Sequence, residues 1–195
     1  MTLARRGPII LASDMVWQGS LTICRGPYAD QIVRRTELAH RRFHMISLFH
    51  VHEKPLAPGT LIGPGRWGTT ILNMGKSHPF FFREHLLEIW RREKTQVQVS
   101  RWSCTFAFGE RQDASKFAAK SGYVHSVVPV DESVPKARLD QVWLTWIGEP
   151  RATTEKIMGW CAGYWAGRAT TDLKPEAIAS WEWLFACPLR VVDAV

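Results

Sequence analysis

The sequence predicts an α+β domain, and three observations carry that prediction. Segments of helical and strand-like pattern are mixed along the chain without regular alternation. Two strand-like segments, SWEWLFA and LRVVDAV, close the chain on either side of Pro188. No G-x-G-x-x-G stretch is present, so a doubly wound dinucleotide-binding sheet is unsupported. The 195 residues are enough for one compact core with a small appendage.

The elements follow in order. Residues 1–42 read as a basic N-terminal extension packed on the core, with DQIVRRTELAHRRF as a basic helix after Gly26 and Pro27. FHMISLFHV, residues 43–51, is apolar and aromatic and is followed by turn residues, which fits a strand. The loop behind it holds three prolines and cannot be helical. HPFFFREHLLEIWRREK, residues 78–94, predicts an amphipathic helix with Phe82, Leu86, Ile89 and Trp90 on its apolar face and cations at its end. QVSRWSCTFAFG reads as a strand, and DASKFAAKSG as a helix capped at Asp113 and stopped at Gly122. YVHSVVPV is a further strand. LDQVWLTWIG fits either helix or strand. TTEKIMGWCAGYW reads as a helix capped by Thr153 or Thr154 despite two glycines.

No apolar run is long enough to span a bilayer, and PIILA is too short for a signal peptide's apolar region, so a cytoplasmic protein is expected. The four cysteines are scattered without a C-x-x-C pair, as buried thiols are, and no metal site is expected. The formal charge of +7 favours an anionic partner. The ten tryptophans suit a core, with a few left to line a cleft. No P-loop, nucleophile elbow or H-E-x-x-H motif is present.

One stretch raises a sharper question. In LFHVHEKPLAPGTLIGPGRWG, His50 and His52 end an apolar run and share one face of a strand, ahead of a Pro/Gly loop closing with Arg66. This stretch resembles the first strand and following loop of small ADP-ribosyltransferases of the diphtheria-toxin-like His-Tyr-Glu class, notably the rifampin-modifying group. TFAFGERQDASKFAAKSGYVHSVVPV resembles that family's central strand–helix–strand unit, and WEWLFACPLRVV its closing strand pair. The blocks occur in the family's order and cover roughly residues 43–130 and 181–192.

The resemblance implies a split β-sheet core with flanking helices over residues 43–195, and NAD as substrate. It implies that His50 holds a ribose hydroxyl and that Glu182 stabilises the oxocarbenium-like ribose formed when nicotinamide leaves. Glu176 and Asp172 are the other carboxylates available for that role. Arg66 and Arg101 are the candidates for the pyrophosphate. The family's tyrosine is replaced by Phe106 and Phe108, either of which can stack on nicotinamide, with Tyr123 one strand later. The acceptor implied is a macromolecule. Nucleic acid ranks ahead of protein because Arg34, Arg35, Arg41, Arg42, Arg91 and Arg92 lie near the first strand in sequence. By family analogy such an enzyme acts as a toxin or phage-defence effector, with a possible antitoxin. The other class that fits the basic helices is a non-enzymatic nucleic-acid-binding domain.

Overall fold

The computed structural model describes residues 47–118 and 122–194. The expected extension over residues 1–42, its basic helix and Cys24 lie outside them. The described part is mixed helix and sheet. Its elements are β1 (Leu48–His52), β2 (Leu61–Ile62), α1 (Arg66–Met74), a 3₁₀ turn (Gly75–Ser77), α2 (Phe81–Lys94), β3 (Thr105–Phe108), α3 (Arg111–Ala118), β4 (Tyr123–Pro129), β5 (Lys136–Asp140), α4 (Val142–Ile147), α5 (Thr154–Trp165), a second 3₁₀ turn (Thr170–Asp172), β6 (Trp181–Phe185) and β7 (Leu189–Ala194).

The seven described strands form one antiparallel sheet in the order β2-β7-β4-β1-β3-β6-β5. Its two parts join thinly. β1 pairs with β4 along its whole length, from Leu48↔Val127 to His52↔Tyr123, but meets β3 only at Phe49↔Phe108. Beyond Phe49 the two central strands part.

Each face has its own core. Leu48, Val127, Leu189 and Val191 pack with Ala107 and Phe185 on one face. On the other, α2, α4 and α5 bring Leu87, Trp143, Leu144 and Tyr164 against Leu139 and Leu184. Indole N–H groups fasten this layer: Trp165 donates to the Leu87 carbonyl at 2.9 Å and Trp143 to the Arg168 carbonyl at 2.8 Å.

Several elements differ from the sequence expectation. α1 is an addition to the expected elements: it follows Pro64 and Gly65 directly, and its sequence, RWGTTILNM, is short and carries a glycine of its own. Gly68 in α1 has a steric reason: a Cβ there would stand 2.1 Å from the Trp102 carbonyl oxygen, so only glycine lets the helix rest on that backbone. Gly163 serves α5 likewise, since a Cβ would meet the Trp143 ring at 2.9 Å. The undecided LDQVWLTWIG is both things, the end of β5 and then α4. Thr153 caps α5, its hydroxyl accepting from the Lys156 N–H at 3.4 Å. α3 starts at Arg111, two residues before the expected cap.

The largest difference is the rotation of α2. Phe82 and Ile89, assigned to its apolar face, are 69% and 54% exposed, while Glu84, Leu87 and Glu88 are buried. The carboxylates turn inward because arginines wait for them, as described below. Cys104, Cys161 and Cys187 are buried free thiols. No helix among the described residues is long and apolar enough to cross a membrane.

The two kinds of helical glycine make opposite predictions. Gly68→Ala should lower stability by about 1–3 kcal/mol or more, the cost of forcing atoms into a filled contact. Gly159→Ala in α5, where an added Cβ meets nothing within 4 Å, should raise it by about 0.5–1 kcal/mol through helix propensity. Urea denaturation midpoints of the two variants check both signs.

Candidate functional site

The residues singled out from sequence fall into two groups, and Phe106 joins them. The first group surrounds β1. His50 stands where β1 and β3 separate, and its Nδ1–H donates to the Phe106 carbonyl at 2.7 Å. That carbonyl points toward β1 and would have continued the ladder had the strands stayed together. A carbonyl only accepts, so Nδ1 carries the proton and Nε2 keeps its lone pair. Burial pulls the His50 pKa down to about 4, with His52, His125 and Arg66 adding repulsion and the Phe106 bond opposing. The ring is therefore neutral near pH 7, in one tautomer.

His52 lies beside it, with ring centroids 6.2 Å apart. Its Nε2 accepts from Arg66, so its Nδ1–H donates to the Lys54 carbonyl at 3.1 Å. Across the strand pair, His125 is fully buried opposite His50, and its Nε2 reaches the same carbonyl at 3.4 Å. Among the described residues His125 Nδ1 is buried without a partner. The turn after β1 is thus held by two imidazoles. Arg66, exposed at the start of α1, also pairs with Glu53 at 2.7 Å. Such an exposed pair is screened by water and weak, so Arg66 is available to a ligand at little cost.

The second group is buried under the helices. Arg101 is 5% exposed. Its Nε–H donates to Glu84 Oε2 at 2.8 Å, and Nη1 donates to Glu182 Oε1 at 2.5 Å and to the Tyr164 hydroxyl at 2.6 Å. Tyr164 in turn donates to Glu182 Oε1 at 2.8 Å. Arg83 adds a bond to Glu84 at 2.8 Å. Burial pushes the Glu84 carboxyl up, but Arg101 and Arg83 outweigh it and hold it below the ordinary range. Burial works against the Arg101 charge as well, yet Glu182 and Glu84 keep the guanidinium protonated. Buried and bonded to two carboxylates and a hydroxyl, Arg101 does not face solvent as a pyrophosphate ligand would.

Glu182 is anchored on one oxygen. Both its donors meet Oε1, and among the described residues none meets Oε2. Phe106 lies on this side, 4.9 Å from the Arg101 guanidinium. Phe108 is buried, its ring centroid 5.6 Å from that of Phe117. Glu176 and Asp172 are exposed on the segment before β6. Arg91 and Arg92 both bind Glu88.

The register separates His50 from Glu182. Phe108 pairs with both Phe49 and Glu182, which puts these three in one phase of the pleat. His50, one residue past Phe49, is in the other phase. Tyr123, opposite His52, shares the His50 face and is 52% exposed. The Glu84–Arg101–Tyr164 partnership went unseen in the sequence, because its members are 17 and 63 residues apart. Elsewhere a groove of about 490 Å³, lined by Trp90, Lys94, Val97 and Trp165, contains none of the sequence-predicted site residues. Among the described residues no group of three His, Cys, Asp or Glu side chains could hold a metal ion. The chain matches no model of a known protein family and no curated protein sequence.

Two measurements probe the groups separately. Arg101→Ala strands two buried carboxylates and should cost about 3–5 kcal/mol. Tyr164→Phe removes one donor to a charged group and should cost about 1.5–3 kcal/mol. Both are read from urea denaturation. His50 has a folded pKa below its unfolded value of 6.5, so the unfolded chain binds its proton first and stability falls as pH drops from 6.5 towards 4. That loss should reach about 3 kcal/mol, should be missing from His50→Gln, and should therefore appear in full as the pH-dependent stability difference between wild type and that variant. Glu84, lowered from 4.5, adds its own loss only further down.

Proposed function

We propose that the chain transfers ADP-ribose from NAD to a macromolecular acceptor. The observation supporting this reading is the state of His50: a neutral imidazole in a single tautomer, at the parting of two central strands, with an acceptor nitrogen that none of the described residues engages. Such a group suits a ribose hydroxyl, which can donate to Nε2. The parting itself is consistent with the split sheet that the sequence resemblance implies.

In this reaction the bond between ribose C1′ and nicotinamide nitrogen breaks. Its electron pair leaves with nicotinamide, which departs neutral, and C1′ then bonds to a nucleophilic atom of the acceptor, whose proton is released. The developing positive charge on the ribose needs a fixed anion. Glu182 offers one, oriented by Arg101 and Tyr164 on Oε1 while Oε2 remains for the substrate. Because His50 and Glu182 occupy opposite phases of the pleat, this reading requires the nicotinamide riboside to enter between β1 and β3, beside the His50–Phe106 bond, to meet both.

Tyr123 is the aromatic best situated over the nicotinamide in this reading. It shares the His50 face and is exposed, whereas Phe106 and Phe108 lie in the Glu182 phase. Arg66 takes the pyrophosphate. The net charge of +7 favours a nucleic acid as acceptor, and a role as toxin or defence effector follows from the family resemblance.

The test is NAD consumption by the purified chain, with and without nucleic acid. His50→Ala should abolish it. Glu182→Gln should lower kcat by about a hundredfold or more with KM nearly unchanged, the pattern of a group acting on the transition state. Tyr123→Ala should raise KM about three- to tenfold and Tyr123→Phe should not. A Glu182→Gln protein with near-full turnover removes that residue from the mechanism. A wild-type chain that neither binds nor cleaves NAD removes the enzyme reading and leaves a basic nucleic-acid-binding domain.

A further inference from the structure

Across β5 and β6 the sheet carries a strip of tryptophans and cations that the NAD reading leaves unused. Trp181, Trp183 and Phe185 alternate onto one face of β6. The pairs Arg138↔Trp183 and Lys136↔Phe185 put two exposed cations of β5 on that same face. The Arg138 guanidinium lies 4.0 Å from the centre of the Trp181 ring. Trp183 and Phe185 are themselves stacked, at 15° and 6.0 Å between centroids. Asp140 follows in the same phase, but its carboxylate is buried and spent on Thr170, Val142 and Ser180.

An arginine resting on an indole keeps its other face and its N–H edge toward solvent. Held flat in this way, it can stack under a nucleobase and hydrogen-bond a phosphate, which a lysine on a free stem does less well. The strip also lies on the His50 side of the sheet. Ala107 is opposite Trp183, and it shares a phase with His50 because its neighbour Phe108 faces Phe49. Three strand spacings separate β1 from β5, on the order of 14 Å, so a strand bound at Arg138 has nucleotides within reach of His50.

We propose that the Trp181–Arg138 strip binds single-stranded nucleic acid, with a base stacked on the Arg138 guanidinium and a neighbouring phosphate on Lys136. That this strand is the acceptor rests on the NAD reading; that it binds does not. β5 is an edge strand of the described sheet, and cations there also deter strand pairing. Edge protection alone gives Arg138 no special part in nucleic-acid affinity.

Fluorescence anisotropy with labelled oligo(U) and oligo(dT) of about twelve nucleotides separates these possibilities. Arg138→Ala should weaken binding at least about fivefold, the smaller end of what a lost stacking contact costs. Arg138→Lys, which keeps the charge and loses the plane, should recover less than half of that loss. Lys116→Ala, which removes an equal and exposed charge on α3, should change affinity little. NAD consumption without acceptor should be the same in Arg138→Ala as in wild type. Tighter binding of either oligonucleotide supports the proposal and names the acceptor chemistry. Wild type that binds neither, or equal losses in Arg138→Ala and Lys116→Ala, overturns it. If wild type leaves NAD intact but binds oligonucleotide through Arg138, the strip stands and the NAD reading falls.

Discussion

A guanidinium almost sealed from water ties the helices of this protein to its sheet. Arg101 reaches Glu84 on α2, Tyr164 on α5 and Glu182 on β6 at once. Taking one cation and two carboxylates out of water is expensive, and their attraction offsets that cost only when the remaining donors and acceptors are also met. Tyr164 helps by accepting from Arg101 and donating to Glu182. The network therefore adds little net stability over an apolar filling, but it tolerates no missing member. It dictates which way α2 faces: Glu84 must point inward, and two of the helix's apolar residues go to the surface as a consequence.

The short segment carrying Arg101 serves the other side of the molecule too. The Trp102 carbonyl is the surface on which Gly68 of α1 rests, and the Trp102 indole donates to the Glu84 carbonyl at 3.2 Å. The Cys104 carbonyl accepts from Gly65 N–H at 3.0 Å. α1 begins at Arg66, whose guanidinium meets His52. One run of backbone thus sets both the buried carboxylate cluster and the start of the histidine group. β3 leaves this segment paired to β6 but barely to β1. The His50 imidazole occupies the place of the missing ladder bond, and its tautomer follows from that substitution.

These constraints bear on chemistry by removing freedom. A carboxylate bound on one oxygen by two donors cannot rotate to meet a substrate, so its second oxygen has a fixed direction. An imidazole that donates to a backbone carbonyl has likewise only one nitrogen to offer. Preorganisation of this kind lets a site stabilise charge without reorganising during the reaction. Arg66 and Tyr123 lie outside the locked part and are exposed, as suits groups that meet a ligand arriving from solvent.

The sequence by itself determined the mixed helix-and-strand character, the helix over the 80s and early 90s, a threonine cap at 153 or 154, and the two closing strands, because hydrophobic period, capping residues and turn breakers are local properties. It also put His50 and His52 on one face, since that needs only the two-residue repeat of a strand. What lay between distant segments was settled by tertiary structure. The inward turn of Glu84 and Glu88 required Arg101 and Ser100 to come within hydrogen-bond range, and amphipathic pattern alone ranks a glutamate as a surface residue. The helix at Arg66 depended on a neighbouring backbone close enough to require Gly68. The phase difference between His50 and Glu182 came from strand register, which no single segment encodes. Arg101, a plausible phosphate ligand in sequence, became the centre of a buried network because its partners converge only when helix and sheet are packed together.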